Sequence, residues 1–236
     1  MRRHERKRVE SDLRRDVLRQ TERGRKEYWQ TLRTSTAQAS LFSLLESTLS
    51  LDGEVIECGV YRGRSALRIA HILRESAPHK TFFACDSFEG FPEDQVGRVD
   101  VGWLRFLSRI RRKFRSCADT PSRLNDVFQT YDVRAQIVKG YFSETLPQFS
   151  NKKFCFIHLD CDIYSSYKEC LESLYDNLVP GGVVVFDDYK SPKWPGAEKA
   201  VNEFFTARNE EPTLCQDRVS PAWYVRKPTN AQTRAA

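Results

Sequence analysis

The stretch from Phe154 to Tyr189 constrains this chain most. It reads Phe-Cys-Phe-Ile-His-Leu-Asp-Cys-Asp-Ile-Tyr, then a helical run, then Pro-Gly-Gly-Val-Val-Val-Phe-Asp-Asp-Tyr. Each end is an apolar run that stops in carboxylates: Phe154 to Leu159 runs into Asp160 and Asp162, and Val183 to Phe186 into Asp187 and Asp188. Near-continuous apolar runs of this length predict strands covered on both faces, as in a parallel sheet. Between them Tyr167, Leu171, Leu174, Tyr175 and Leu178 recur at helical spacing, and Pro180-Gly181-Gly182 is expected to end that helix and turn the chain back. The result is a βαβ unit with acids at the carboxyl ends of two strands, the edge where open α/β sheets bind ligands. Four like charges gathered there repel unless something positive compensates, and a hard divalent cation such as Mg²⁺, which takes oxygen ligands, does so. The alternative is a set of ordinary strand-end acids that face solvent and cap the next helices.

Two further strand ends carry similar signals. Glu54-Val-Ile-Glu-Cys-Gly-Val-Tyr-Arg-Gly-Arg-Ser65 is a short strand leading through Gly59 and Gly63 into a helix from Ser65 to Leu73. Such glycines let the backbone approach a ligand, though the spacing is not the G-x-G-x-x-G of a dinucleotide loop. Glu57, just before the loop, repels a phosphate but suits an ammonium group, which S-adenosyl-L-methionine (SAM) carries. A plain tight turn is the other reading. The strand Thr81 to Asp86 ends in an acid at the position where a ribose diol is held by two charge-assisted hydrogen bonds; a turn or cap acid is again the alternative. Ser87 to Pro92 then forms a tight aromatic loop beside the nucleoside.

The rest of the chain sets bounds. Its 236 residues suit one α/β domain, and no apolar run approaches the ~20 residues of a membrane span. Seven cysteines without a C-x-x-C pair, and no apolar signal region at the Arg-rich start, predict reduced thiols in a cytoplasmic protein and no zinc site. The net charge of +6 is concentrated in Arg2–Lys26 and Arg98–Arg115. Such blocks fit either solvated helix faces or nucleic-acid binding. No base-methylation motif or RNA-binding appendage accompanies them, so no nucleic-acid partner is expected.

Residues 1–33 read as a charged helix, an arm for a homo-oligomer or a lid. Residues 93–133 read as a lid or insertion with helices near Trp103–Phe114 and Pro121–Tyr131, and 34–227 as the domain proper. Ala135 to Lys139 is a third strand, Ala197 to Phe205 a helix, and Pro212–Asp217 with Ala222–Arg226 a closing hairpin; 228–236 reads as a disordered tail.

Taken together, Glu57-Cys-Gly-Val-Tyr-Arg-Gly63, Asp86-Ser-Phe-Glu-Gly-Phe-Pro92, Gly140-Tyr-Phe-Ser-Glu-Thr-Leu-Pro147, His158-Leu-Asp-Cys-Asp-Ile-Tyr164 and Pro180-Gly-Gly…Asp187-Asp-Tyr189 resemble the macrocin O-methyltransferase (TylF-type) family over roughly Thr34 to Lys227. The resemblance implies a class I SAM-dependent methyltransferase fold: a Rossmann-like three-layer α/β sandwich with a seven-stranded, mostly parallel sheet whose last strand is antiparallel. It implies methyl transfer from SAM to a sugar hydroxyl, with Mg²⁺ or Mn²⁺. Carried over by motif, Asp160, Asp187 and Asp188 would ligate the metal and Asp162 would be the general base. Glu57, Cys58, Gly59, Val60, Tyr61, Gly63 and Ser65 would border the methionine end of SAM, joined by Asp160. Asp86, Ser87 and Phe88 would border the ribose, and Gly140, Phe142 and Ser143 the adenine. This chain departs from the family pattern at Arg64, where a second glycine is usual, and at Cys161, where glycine usually separates the two aspartates. A catechol-type O-methyltransferase, an RNA-binding methyltransferase and a non-catalytic module on the same fold remain as alternatives.

Overall fold

The structure is a computed structural model that describes residues 39–92, 95, 99–100, 117–215 and 221–229. The helix expected over 1–33, the one near Trp103–Phe114 and nearly all of the tail lie outside the described residues.

Five parallel strands form the frame: β1 (Glu54–Cys58), β2 (Phe82–Asp86), β3 (Ala135–Lys139), β4 (Phe154–Leu159) and β5 (Leu178–Phe186). β6 (Thr213–Cys215) and β7 (Ala222–Arg226) make the closing hairpin, and β7 runs antiparallel beside β5. The sheet order is β3-β2-β1-β4-β5-β7-β6. The reversal between β1 and β4 brings the ends of those two strands side by side, and the candidate site is there.

Alternation along the strands sorts side chains into two cores. Val55, Phe82, Ala84, Phe156, Val183 and Val185 pack on one face with α1 (Ala39–Glu46), α2 (Arg64–Ser76) and α3 (Thr120–Thr130). Ile56, Phe83, Ile157, Leu159, Val184 and Phe186 pack on the other with α5 (Tyr164–Leu174) and α6 (Pro195–Thr206). A one-turn helix, α4 (Phe142–Thr145), follows β3. All six residues of β4 are buried, as its unbroken apolar run predicts. Among the described residues no helix is long and apolar enough to cross a membrane.

One expectation is corrected. Pro180-Gly181-Gly182 does not end the helix: α5 stops at Leu174, a short 3₁₀ turn covers Tyr175–Asn177, and the three residues lie inside β5. Between the pairs Phe154–Leu178 and Phe156–Val183, β4 advances two residues and β5 five. Proline and glycine are tolerated in a strand where the ladder is interrupted, and this irregularity interrupts it; Gly181 takes φ +82° there.

Candidate functional site

The glycine loop is tied to the end of β2. The Asp86 Oδ2 atom accepts hydrogen bonds from the Val60 N–H (2.7 Å) and the Tyr61 N–H (2.8 Å), and Oδ1 accepts from the Phe88 N–H (2.7 Å). Three of the roughly four lone-pair positions of a carboxylate are therefore occupied by backbone. The sequence suggested two bonds to a ribose diol; as arranged here Asp86 has about one to give, and its other work is to shape the loop. Gly59 (φ +95°) and Gly63 (φ +76°) take backbone conformations that side chains rarely adopt, and Gly63 sits at the N-cap of α2. Ser65 is buried in the first turn of that helix and Cys58 in the end of β1.

The next loop differs from expectation in two places. The Ser87 hydroxyl donates to the Gly90 carbonyl (2.7 Å) and accepts from the Glu89 and Gly90 N–H groups, so it locks a turn rather than reaching outward. Phe88 has φ +56°, which turns its ring into the core, where it is 2% exposed. The half-buried aromatic of this loop is Phe91, packed edge-on against Trp194 at 6.1 Å. Beyond β3 the Gly140 N–H is bonded to the Asp86 carbonyl (3.1 Å), Phe142 is half-buried and Ser143 is exposed.

The acids of β4 and β5 do converge. Asp160, Asp187 and Asp188 each offer a carboxylate oxygen, and these oxygens lie within 4.8 Å of one another. Two pieces of geometry hold them. The Asp160 N–H donates to the Cys58 carbonyl and the Asp187 N–H to the Leu159 carbonyl, each at 2.9 Å, so the three strand ends are stitched together. The Asp162 N–H, on a residue with φ +63°, donates to Asp188 Oδ2 (2.9 Å). Tyr167, fully buried on α5, places its hydroxyl 2.9 Å from the Leu159 carbonyl and 3.2 Å from Asp188 Oδ2, and accepts from the Asp188 N–H. The sequence showed Tyr167 only as a core position on a helix.

Glu57 and His158 are also completely buried. The His158 Nδ1 atom lies 2.8 Å from Glu57 Oε1, and its Nε2 atom 4.0 Å from Asp187 Oδ1. Glu57 Oε2 and His158 Nε2 have no hydrogen-bond partner among the described residues. Sequence reasoning placed Glu57 near a ligand but gave His158 no role. The signal is a histidine in an otherwise apolar strand and an acid, Glu57, set among the buried residues of the strand that pairs with it.

The charges carry a pH signature. Burial, and next the charge of Asp187, push the Asp188 carboxyl up to about 7. Burial followed by the charges of Asp187 and Asp188 holds Asp160 well above the usual carboxylate range. Burial alone would depress His158, but the Glu57 carboxylate and the nearby aspartates outweigh it and raise the imidazole. Folded values above unfolded ones favour the protonated protein, so this contribution to stability is present at low pH and fades as pH rises, for Asp188 between about 4 and about 7. Thermal denaturation without metal is expected to show Tm falling from pH 5 to pH 8, by about 2–4 °C for each kcal/mol lost in a chain this size. Added Mg²⁺ is expected to restore several degrees at pH 8 and little at pH 5, where protons hold the carboxylates.

Beneath the acids lies a set of thiols. Cys58 lies beside Cys170 and Cys85, and Cys170 beside Cys161; all four are buried. Burial pushes Cys161 up to about 12 and Cys85 and Cys170 well above the ordinary thiol value. Cys161, which the sequence marked as a departure from glycine, is thus accommodated as a small apolar side chain against this group.

Comparison with known proteins bears on the family and the fold. The sequence model of the family described as "Macrocin-O-methyltransferase (TylF)" matches residues 31–225. A relative from Streptomyces olivaceus, the 8-demethyl-8-(2,3-dimethoxy-alpha-L-rhamnosyl)-tetracenomycin-C 4'-O-methyltransferase, is 33% identical over 141 residues, 58% of this chain and 53% of the relative. Demethyldecarbamoylnovobiocin O-methyltransferase of Streptomyces niveus is 28% identical over 177 residues, 72% of this chain and 66% of the relative. The chain thus spans from about half to just under two thirds of the length of these relatives. Among solved structures, a calicheamicin methyltransferase superposes with a TM-score of 0.69 at 26% identity, covering 80% of this chain and 77% of that one. The O-methyltransferase NovP gives 0.66 at 25% identity, covering 80% of each chain. The fold is that of the class I methyltransferases.

Proposed function

The chain belongs to the macrocin-O-methyltransferase family, and from that premise we propose that it transfers the methyl group of SAM to a hydroxyl of a sugar, on a glycosylated natural product or saccharide, with Mg²⁺ or Mn²⁺ at the strand-end acids. The observation that carries this reading is the convergence of Asp160, Asp187 and Asp188, three hard oxygen donors that form no ion pair with a lysine or arginine among the described residues. Asp188 Oδ2 is committed to the Asp162 N–H and Tyr167, so Oδ1 would meet the metal. The buried, unpartnered Glu57 Oε2 suits the α-ammonium group of SAM, since such an atom costs about 1–3 kcal/mol until a donor reaches it. When bound, the cation acidifies and orients the acceptor hydroxyl and SAM supplies the methyl group.

The remaining work belongs to the protein. Glu57 and the Gly59–Tyr61 backbone orient the methionine end, while Asp86 fixes that backbone and offers its remaining lone pair to the ribose. Asp162, held by its own N–H to Asp188 and half-buried beside the three acids, accepts the proton of the hydroxyl. The rate gain lies in holding acceptor oxygen and methyl donor in line.

Calorimetric titration of S-adenosylhomocysteine (SAH) into the protein, with Mg²⁺ and with a chelator, tests the reading. Micromolar binding is expected for the wild type, and at least about a hundredfold weaker binding for Asp86→Ala, which loses a charge-assisted ligand contact and three loop bonds at once. Absence of SAH binding to the wild type in both conditions would remove the methyltransferase assignment.

A further inference from the structure

Glu57, His158 and Asp187 form one row across three adjacent strands. Glu57 on β1 stands opposite His158 on β4, and His158 stands opposite Val185 on β5, two residues before Asp187. The period of two puts all three side chains on the same sheet face. The imidazole spans the gap between the two carboxylates, 2.8 Å from one and 4.0 Å from the other. The two polar atoms left without partners, Glu57 Oε2 and His158 Nε2, mark the outer end and the weak joint of this row.

We propose that His158 is a positioning residue that couples the two halves of the site: cofactor seated on Glu57 fixes the imidazole, and the imidazole fixes Asp187 for the cation. The inference rests on the assignments of Glu57 and Asp187 made above. Its physical basis is the difference between the row's ends. The Glu57 carboxylate is fully buried, whereas the Asp187 side chain is 44% exposed and free to choose among rotamers. A ligand donor on Oε2 holds Glu57 in the orientation in which Oε1 bonds Nδ1. With a proton on each ring nitrogen, Nδ1 donates to Glu57 Oε1 while Nε2–H faces Asp187 Oδ1, and closing the 4.0 Å separation by about 1 Å lets Nε2 donate to that carboxylate. Groups that orient a metal ligand in this way change metal affinity by about 10–100-fold. The amino-acid end of SAH is zwitterionic, so its direct charge effect on the cation is small, and the His158 variants separate the row from through-space charge.

The test is Mn²⁺ binding, followed by the electron paramagnetic resonance of the free ion, with and without saturating SAH. In the wild type SAH is expected to tighten Mn²⁺ by about fivefold or more, and Mn²⁺ to tighten SAH by the same factor. His158→Asn keeps an amide where Nδ1 bonds Glu57 but has nothing at Nε2. It is expected to bind SAH within about twofold of wild type and to lose the coupling. His158→Gln reaches toward Asp187 without bonding Glu57, and is expected to lose it too; either variant suffices if the other fails to fold. Coupling retained in a folded variant, or absent from a wild type that binds both ligands, would overturn the proposal while leaving the assignment of function intact. Unchanged Mn²⁺ binding in Asp187→Asn, or no SAH binding in the wild type, would overturn both.

Discussion

Asp162→Asn is expected to lower kcat by about 10²–10⁴-fold with the KM for SAM changed little, because an amide has the shape of the carboxylate but cannot take a proton. The substitution spares the local structure. The bond to Asp188 comes from the backbone N–H of residue 162, and the positive φ of +63° is one that asparagine adopts readily. It also removes a negative charge from beside Asp160, whose carboxyl is raised in part by Asp162. That relief favours the folded variant, and the melt shows whether loss of turnover comes with loss of fold. Radiolabelled methyl transfer to a glycoside that supports wild-type turnover, together with a thermal melt, gives both readings; full turnover would move the base elsewhere.

Gly59→Ala is expected to be the most damaging glycine-to-alanine substitution among the described residues. A Cβ there would sit 1.8 Å from the Asp160 carbonyl oxygen and 2.5 Å from its carbonyl carbon, both backbone atoms. No rotamer relieves this clash, so the ends of β1 and β4 must move apart by more than an ångström. With the left-handed conformation at φ +95° added, a loss of about 3–5 kcal/mol follows, read by urea denaturation. Because the clash lies between the glycine loop and Asp160, SAH and Mn²⁺ binding should fail together. Gly63→Ala is the milder comparison: its Cβ would meet the Cδ2 atom of buried Leu124 at 2.6 Å, a side chain rather than backbone, at φ +76°, and about 1–3 kcal/mol is expected.

The strand frame was legible because it rests on local patterns. Phe154–Leu159 and Val183–Phe186 are apolar without interruption, and their carboxylates follow directly, so the converging acids could be named from the chain. Burial direction and partnership were less legible. Phe88 carries the same aromatic signal as Phe91, and only its positive φ sends one ring inward and leaves the other half-buried. Ser87 and Asp86 have the residue types of ligand contacts, whereas backbone groups of their own loops engage them first. Pro180-Gly181-Gly182 has the composition of a turn, and an irregular ladder absorbs it into a strand. The Glu57–His158 pair joins residues 101 apart in sequence, and the register that brings them together is a property of the whole sheet.

The thiols under the acids give this protein a built-in clock. Cys58, Cys85, Cys161 and Cys170 are packed away beneath the carboxyl edge of the sheet, whereas Cys215 is half-exposed. A bulky disulfide reagent reaches the four only when that edge breathes open, so the slow phase of their modification times the opening of the very strands that carry the acids. Each ligand that fills the site should slow that clock, and the ratio of the rates with and without it gives a free energy of closure without reference to the reaction at all.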